Sequence, residues 1–183
     1  MILIPKLPFV VTVINDGWYG EAIAYLALIP KDHGGVLELS AARLSESHIQ
    51  KAPNLTDKEK ASILGLPEVA DTSEMYTQLW EFWVKWLERQ PLRIEFVYDN
   101  ALHPGVLDFF RACVRADVAV RQDLDPMVKV DVASLLRVLG HDPRTSRFTI
   151  ARMAGMEPGN LEHVALAIAT CYADMQRLIE GTP

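Results

Sequence analysis

Two histidines stand where an imidazole could take part in proton transfer. His103 precedes Pro104 at a predicted junction between a strand and a helix, and His163 follows Glu162 at the start of the last predicted helix. Because the carboxyl ends of strands face the ligand crevice in open α/β sheets, His103 has the better claim to a site. His163, taken alone, is more typical of a partly exposed residue without a special role.

Four acidic side chains could form a cluster that binds divalent cations, because carboxylate oxygens are the ligands that magnesium and manganese prefer. They are Asp16, Glu21, Asp99 and Asp108. Turn and cap roles explain Asp16 and Asp99 more simply, and Glu21 and Asp108 can face solvent. Structural roles are therefore the favoured interpretation of these acids.

Aromatic residues occur in two settings. Trp18 and Tyr19 lie in a predicted turn after the first strand, where an exposed aromatic pair has no evident core role, so we expect them to contact a ligand or partner. A second group has helical spacing, which favours burial against the sheet over a stacking platform for single-stranded bases. Its members are Trp80, Phe82, Trp83 and Trp86.

Arginines give the C-terminal part of the chain a local basic character. They are Arg137, Arg144, Arg147 and Arg152. Such a group can bind phosphates, and it is equally typical of a solvated surface. Arg147 is the member that we take as a candidate binding residue.

Composition limits the classes of protein. The length of 183 residues predicts one domain over residues 1–183. Half of the residues are apolar, and the net charge of -6 argues against a protein that coats duplex nucleic acid. There is no apolar run of spanning length and no export signal, so we expect a cytoplasmic protein without a membrane partner. Cys113 and Cys171 have neither disulfide-scaffold nor zinc-site spacing. Phosphate-loop, dinucleotide, zincin, nucleophile-elbow and EF-hand motifs are absent from the sequence.

The hydrophobic pattern predicts an α/β fold. Apolar runs separated by glycine turns predict an antiparallel meander of three strands over residues 7–15, 21–30 and 36–40. Later strands are expected over residues 92–98 and 118–120. Helices are expected over residues 56–64, 74–90, 104–116, 130–139, 145–154 and 160–179. This order predicts a mixed five-stranded sheet with helices on both faces.

Several segments together carry a family resemblance. Trp80 to Leu87 leads into the run FVYDNALH, which ends at His103; the sequence VDV follows at residues 130–132, and HVALAIA at residues 163–169. In this order the segments resemble the DnaQ-like, or DEDDh, 3′-to-5′ exonucleases of the ribonuclease H-like superfamily, in particular the branch of phage DexA-like exonucleases. The resemblance covers most of the chain and implies a ribonuclease H-like sheet.

The resemblance also implies where catalytic residues would lie. Members use four carboxylates to hold two divalent ions about 3.5 to 4 Å apart, and a histidine serves as general base. The ligand positions are occupied here by Thr12, Ile14, His103 and Ile168, and the base by His163. A hydroxyl, an imidazole and two alkyl groups cannot replace four carboxylates, so the resemblance implies that two-metal cleavage has been lost.

Three functional hypotheses follow. The leading one is an exonuclease-like domain without catalysis or cofactor, which binds single-stranded nucleic acid or a protein partner. The alternative is an active 3′-to-5′ exonuclease that uses Mg²⁺ or Mn²⁺, with acids such as Asp16, Asp99 and Asp174. The third is an unrelated α/β protein-interaction module.

Overall fold

The computed structural model describes residues 6–17, 20–32, 34–90, 93–98, 112 and 129–181. The strands are β1 (Leu7–Asn15), β2 (Ala22–Pro30), β3 (Val36–Arg43), β4 (Ile94–Tyr98) and β5 (Lys129–Asp131). The helices are α1 (Glu46–Lys51), α2 (Asp57–Ile63), α3 (Thr72–Arg89), α4 (Val132–Val138), α5 (Arg147–Met153) and α6 (Leu161–Glu180).

The strands form one five-stranded mixed sheet in the order β3-β2-β1-β4-β5. The first three strands make the antiparallel meander that the sequence predicts, whereas β4 pairs in parallel with both β1 and β5. Gly34 and Gly35 have φ of 92° and 82° in the turn between β2 and β3, a backbone conformation that favours glycine. The predicted α/β class and mixed sheet are confirmed, with β1 at the centre.

Helix α3 packs on one face of the sheet through aromatic contacts. The ring of Phe9 in β1 lies 5.2 Å from Phe82 and 5.1 Å from Trp83, measured between centroids. Phe96 of β4 lies 6.1 Å from Phe9. All four members of the aromatic group on α3 are buried, as their helical spacing predicts.

Helix α6 packs on the opposite face. Side chains alternate along a strand, so Val10, Thr12 and Ile14 face away from the side to which Phe9 points. The hydroxyl of Tyr172 in α6 donates to Glu95 Oε2 of β4 at 2.7 Å across this second face. Helices therefore lie on both sides of the sheet.

Three predicted elements differ from the structure or lie beyond what it describes. Residues 129–131 form β5, although the sequence pattern predicts a helix from residue 130; the strand ends at Asp131, whose carboxylate caps α4 by accepting from the Ser134 backbone N–H at 2.7 Å. The predicted helix at residues 104–116 falls almost entirely outside the described residues, and the predicted strand at 118–120 lies wholly outside them. Helix α1 was not expected.

Within the part of the chain that the structure describes, no helix combines the length and hydropathy that crossing a bilayer requires.

Candidate functional site

Thr12 is the polar residue at the centre of the sheet. It lies in β1 on the face toward α6, and its side chain is fully buried. Its neighbours along the strand, Val11 and Val13, are apolar and buried. A hydroxyl in such a position requires a hydrogen-bond partner, because an unsatisfied buried polar group is costly.

Arg147 supplies that partner from the first residue of α5. Its Nη1 donates to Thr12 Oγ1 at 3.1 Å and to the Val13 carbonyl oxygen at 2.9 Å. The helix begins here because Ser146 caps it, with Ser146 Oγ accepting from the Thr149 backbone N–H at 3.2 Å. The cap fixes the start of α5 and directs a half-buried guanidinium onto the central strand.

Ile14 and Ile168 add no polar atom to this region. Both are fully buried members of the apolar core, Ile14 two residues beyond Thr12 on the same face of β1 and Ile168 in the first half of α6. Neither side chain can act as a metal ligand. Of the ligand positions that the resemblance implies, the three described residues thus offer one hydroxyl oxygen.

His163 is half-buried near the start of α6. Its Nδ1 accepts from the Glu157 backbone N–H at 3.2 Å, and its own backbone N–H donates to Asn160 Oδ1 at 3.3 Å. The lone pair on Nδ1 is therefore engaged by this backbone N–H. The contact gives His163 a structural role in holding the loop before α6.

Asp131 and Tyr98 lie side by side at the carboxyl ends of β5 and β4. Burial and the charge of Asp131 raise the pKa of the Tyr98 hydroxyl above its ordinary value. Asp131 caps α4 through both carboxylate oxygens, since Oδ2 also accepts from the Ser134 hydroxyl at 2.7 Å. This carboxylate therefore serves as a helix cap.

The acids of the alternative catalytic set lie apart where they are described. Asp16, just beyond β1, accepts from the Asn54 backbone N–H at 2.9 Å, while Asp174 of α6 pairs with Arg177 at 2.8 Å. Tyr172 anchors that part of α6 to Glu95, which is level with Pro8 at the start of β1. Asp16 lies eight residues, roughly 26 Å of extended strand, beyond Pro8, so the two acids lie near different ends of β1.

The remaining predicted site residues fall beyond the described ranges. They are Trp18, Tyr19, Asp99, His103 and Asp108. Glu21 is described and lies 3.4 Å from His48 Nε2, near the protein surface. Among the described residues, no group of three or more histidine, cysteine or acidic side chains is arranged to hold a metal ion.

Glu95 and Tyr172 form a buried pair that the sequence pattern did not predict. Burial, followed by the hydrogen bond and charge of Glu95, raises the pKa of the Tyr172 phenol far above its ordinary value of 10.0. Gln176 Nε2 donates to the same phenol oxygen at 3.0 Å. The sequence of β4 did contain an indication of this pair, because Glu95 is the single acid within an otherwise apolar strand.

No protein-family model and no curated protein matches this chain.

Proposed function

We propose that the chain is a ribonuclease H-like domain of the DnaQ-like exonuclease type that has lost two-metal catalysis and binds single-stranded nucleic acid. The form of the sheet supports the fold assignment. An antiparallel meander is followed by two parallel strands, β4 and β5, and helices cover both faces, which is the arrangement that the resemblance implies.

The contact between Arg147 and Thr12 is the observation that carries the proposal. Thr12 occupies the position that the resemblance assigns to a metal-ligand carboxylate, and a guanidinium lies 3.1 Å from its hydroxyl. A guanidinium carries a permanent positive charge and binds phosphate well. It cannot lower the pKa of a bound water or bridge the attacking and leaving oxygens as a metal pair does. In this proposal Arg147 attracts a phosphodiester without supplying the means to cleave it.

The charge balance indicates how nucleic acid would be held. With a net charge of -6, the chain must rely on local cations such as Arg147. The α3 aromatics are buried and not available for base stacking, so we assign stacking to Trp18 and Tyr19, which lie outside the described residues and follow Asn15, the last residue of β1, in the sequence. Unpaired bases expose the faces that this contact requires, which favours single strands over duplex.

Binding and cleavage can be measured on the same labelled oligonucleotides. We expect fluorescence anisotropy to show binding of single-stranded DNA or RNA that weakens as salt rises, because phosphate contacts release counterions. We expect the oligonucleotide to keep its length in Mg²⁺ or Mn²⁺. Shortening that a chelator stops would instead establish the active exonuclease, and no binding to any oligonucleotide would leave the protein-partner hypothesis.

Arg147→Gln tests the residue that carries the proposal. We expect roughly tenfold weaker binding and a shallower salt dependence, since a charge-assisted contact is lost. Arg152→Gln is the matched control, because Arg152 is exposed in the last turn of the same helix. Thermal unfolding of both variants separates loss of binding from loss of fold. Equal affinities of the two folded variants would remove Arg147 from the proposed site.

A further inference from the structure

A cavity of about 540 Å³ opens at the end of the sheet where β1 begins and β2 ends. It lies between the start of β1, the end of β2 and the part of α6 from Leu166 onward. Its walls include Pro8, Pro30, Met156, Leu166 and Ala169, which are apolar. The volume falls within the range of about 300 to 1,000 Å³ that is typical of small-molecule sites.

The floor of this cavity is held in place by hydrogen bonds. Tyr172 lines the cavity and is buried; its hydroxyl donates to Glu95 and accepts from Gln176, which is also a lining residue. Because the phenol already has a donor and an acceptor, it has no need to rearrange when a ligand enters. The cavity is therefore largely preformed, which lowers the cost of binding.

Charged side chains from three separate segments reach the same cavity. Lys6 precedes β1, Lys31 follows β2 and Arg177 lies in α6, whereas two acids, Asp32 and Glu180, complete the charged lining. Among the lining residues that the structure describes, three cations thus face two acids, within a chain whose net charge is -6.

The three cations differ in the partners they already have. Lys6 lies 3.7 Å from Glu95 Oε1, and Arg177 lies 2.8 Å from Asp174. Lys31 has no ion pair with any residue that the structure describes. Lys31 is therefore the cation most ready to bind an anion from outside the protein.

We propose that this cavity binds a small amphiphile with an apolar body and a single anionic head group, with Lys31 as the main contact for the head group. The apolar walls match a medium-length acyl chain or a fused aromatic ring. Asp32 and Glu180 disfavour ligands with several negative charges, such as nucleoside triphosphates, because these acids would face the additional charges. The site is separate from the proposed nucleic-acid contact at Arg147.

Anilinonaphthalene sulfonate is a suitable fluorescent probe, since it combines an aromatic body with one anionic group. We expect saturable binding at one site on the full chain. Decanoate should displace the probe at least about tenfold better than decyltrimethylammonium, with both used below their micelle concentrations. Displacement by the cationic amphiphile at equal or lower concentration would overturn the assignment of an anionic ligand.

Two substitutions locate the binding site. Ala173→Trp places an indole at a lining position on the exposed side of α6, and we expect it to abolish probe binding; Ala61→Trp on the exposed face of α2 should leave binding unchanged. Equal binding by both variants would overturn the proposed location. Cooperative urea unfolding would show that each variant is folded.

Lys31→Ala tests the contact with the head group and does not depend on the tryptophan variants. We expect it to weaken decanoate binding roughly fivefold while leaving the binding of decanol, which has no charge, unaffected. Lys51→Ala, at an exposed lysine outside the cavity lining, is the matched control. If Lys31→Ala changes decanoate and decanol equally, or changes neither, the head-group assignment is wrong.

Discussion

Arg147 and Thr12 are separated by 135 positions in the sequence, yet Arg147 Nη1 lies 3.1 Å from the Thr12 hydroxyl oxygen. This contact fastens the start of α5 to the central strand of the sheet. The same nitrogen donates a second hydrogen bond to the Val13 carbonyl oxygen, so two hydrogen bonds join α5 to β1. The pair therefore combines a structural role with the charge that the proposed function requires.

Removing the Arg147 side-chain donors should destabilise the fold. We expect Arg147→Met to lower the free energy of unfolding by about 1.5 to 3 kcal/mol, because hydrogen bonds from a charged group to buried acceptors are lost. Arg152→Met, at an exposed position of the same helix, should change it by less than about 0.5 kcal/mol. Urea unfolding measures both values. Equal stability of the two variants would contradict the structural role of Arg147.

A carboxylate at position 12 should depend on Arg147. We expect Thr12→Asp to lower the free energy of unfolding far less in the parent chain than in the Arg147→Gln variant. In that variant the buried carboxylate has lost its cation. The coupling free energy from a double-mutant cycle should reach at least about 2 kcal/mol. Thr12→Asp combined with Arg152→Gln should be additive. Additivity within about 0.5 kcal/mol for the Arg147 pair would mean that the two side chains do not interact.

Tyr172→Phe should reveal the buried hydrogen bond to Glu95. At neutral pH we expect a loss of about 1 to 3 kcal/mol in the free energy of unfolding, because Glu95 loses a donor. The difference in the free energy of unfolding between the parent and the variant should become smaller at alkaline pH. A phenol whose pKa is raised in the folded state stabilises the protein fully below pH 10.0, and this stabilisation falls as the unfolded phenol ionises above that pH.

Urea unfolding of the parent and the Tyr172→Phe variant over a pH series checks this prediction. Groups other than Tyr172 titrate in both proteins and cancel in the difference between them. A difference in the free energy of unfolding that grows above pH 10.0 would contradict the raised pKa of Tyr172.

Cys171 should be a slow nucleophile. Burial, followed by the charge of Asp174, raises the pKa of this thiol above its ordinary value, so less thiolate is present at mildly alkaline pH. In a Cys113→Ser background, which leaves Cys171 as the single thiol, we expect alkylation by iodoacetamide to be at least about tenfold slower in the folded chain than in urea. Similar rates in the two states would show that the environment does not protect Cys171.

Local patterns in the sequence were sufficient to predict most of the described helices and strands. Residues 7–15 are apolar almost throughout and end before Asp16 and Gly17, so the limits of β1 were predicted correctly. Thr56 and Glu59 form the capping box that their spacing predicts at the start of α2. These features depend on residues close together in the chain, and the sequence therefore contains enough information to predict them.

Other features depend on tertiary contacts and could not be predicted in this way. Helix α1 has six residues and buries only Ile49, too little for a periodic pattern. Strand β5 has three residues and exists through its pairing with β4, so its sequence alone resembles the start of a helix. Arg147 was a candidate from its charge, but its contact with Thr12 depends on how α5 packs against β1. The role of His163 likewise depends on a backbone N–H of Glu157 that no spacing rule predicts.

The placement of β1 has a consequence for synthesis on the ribosome. Its parallel neighbour begins at Ile94, so a nascent chain can complete the β1–β3 meander long before that partner emerges. Until then one edge of an almost entirely apolar strand is open to pairing with other polypeptides. Soluble yield on overexpression should accordingly rise with added chaperones, and fragments truncated before residue 94 should form inclusion bodies.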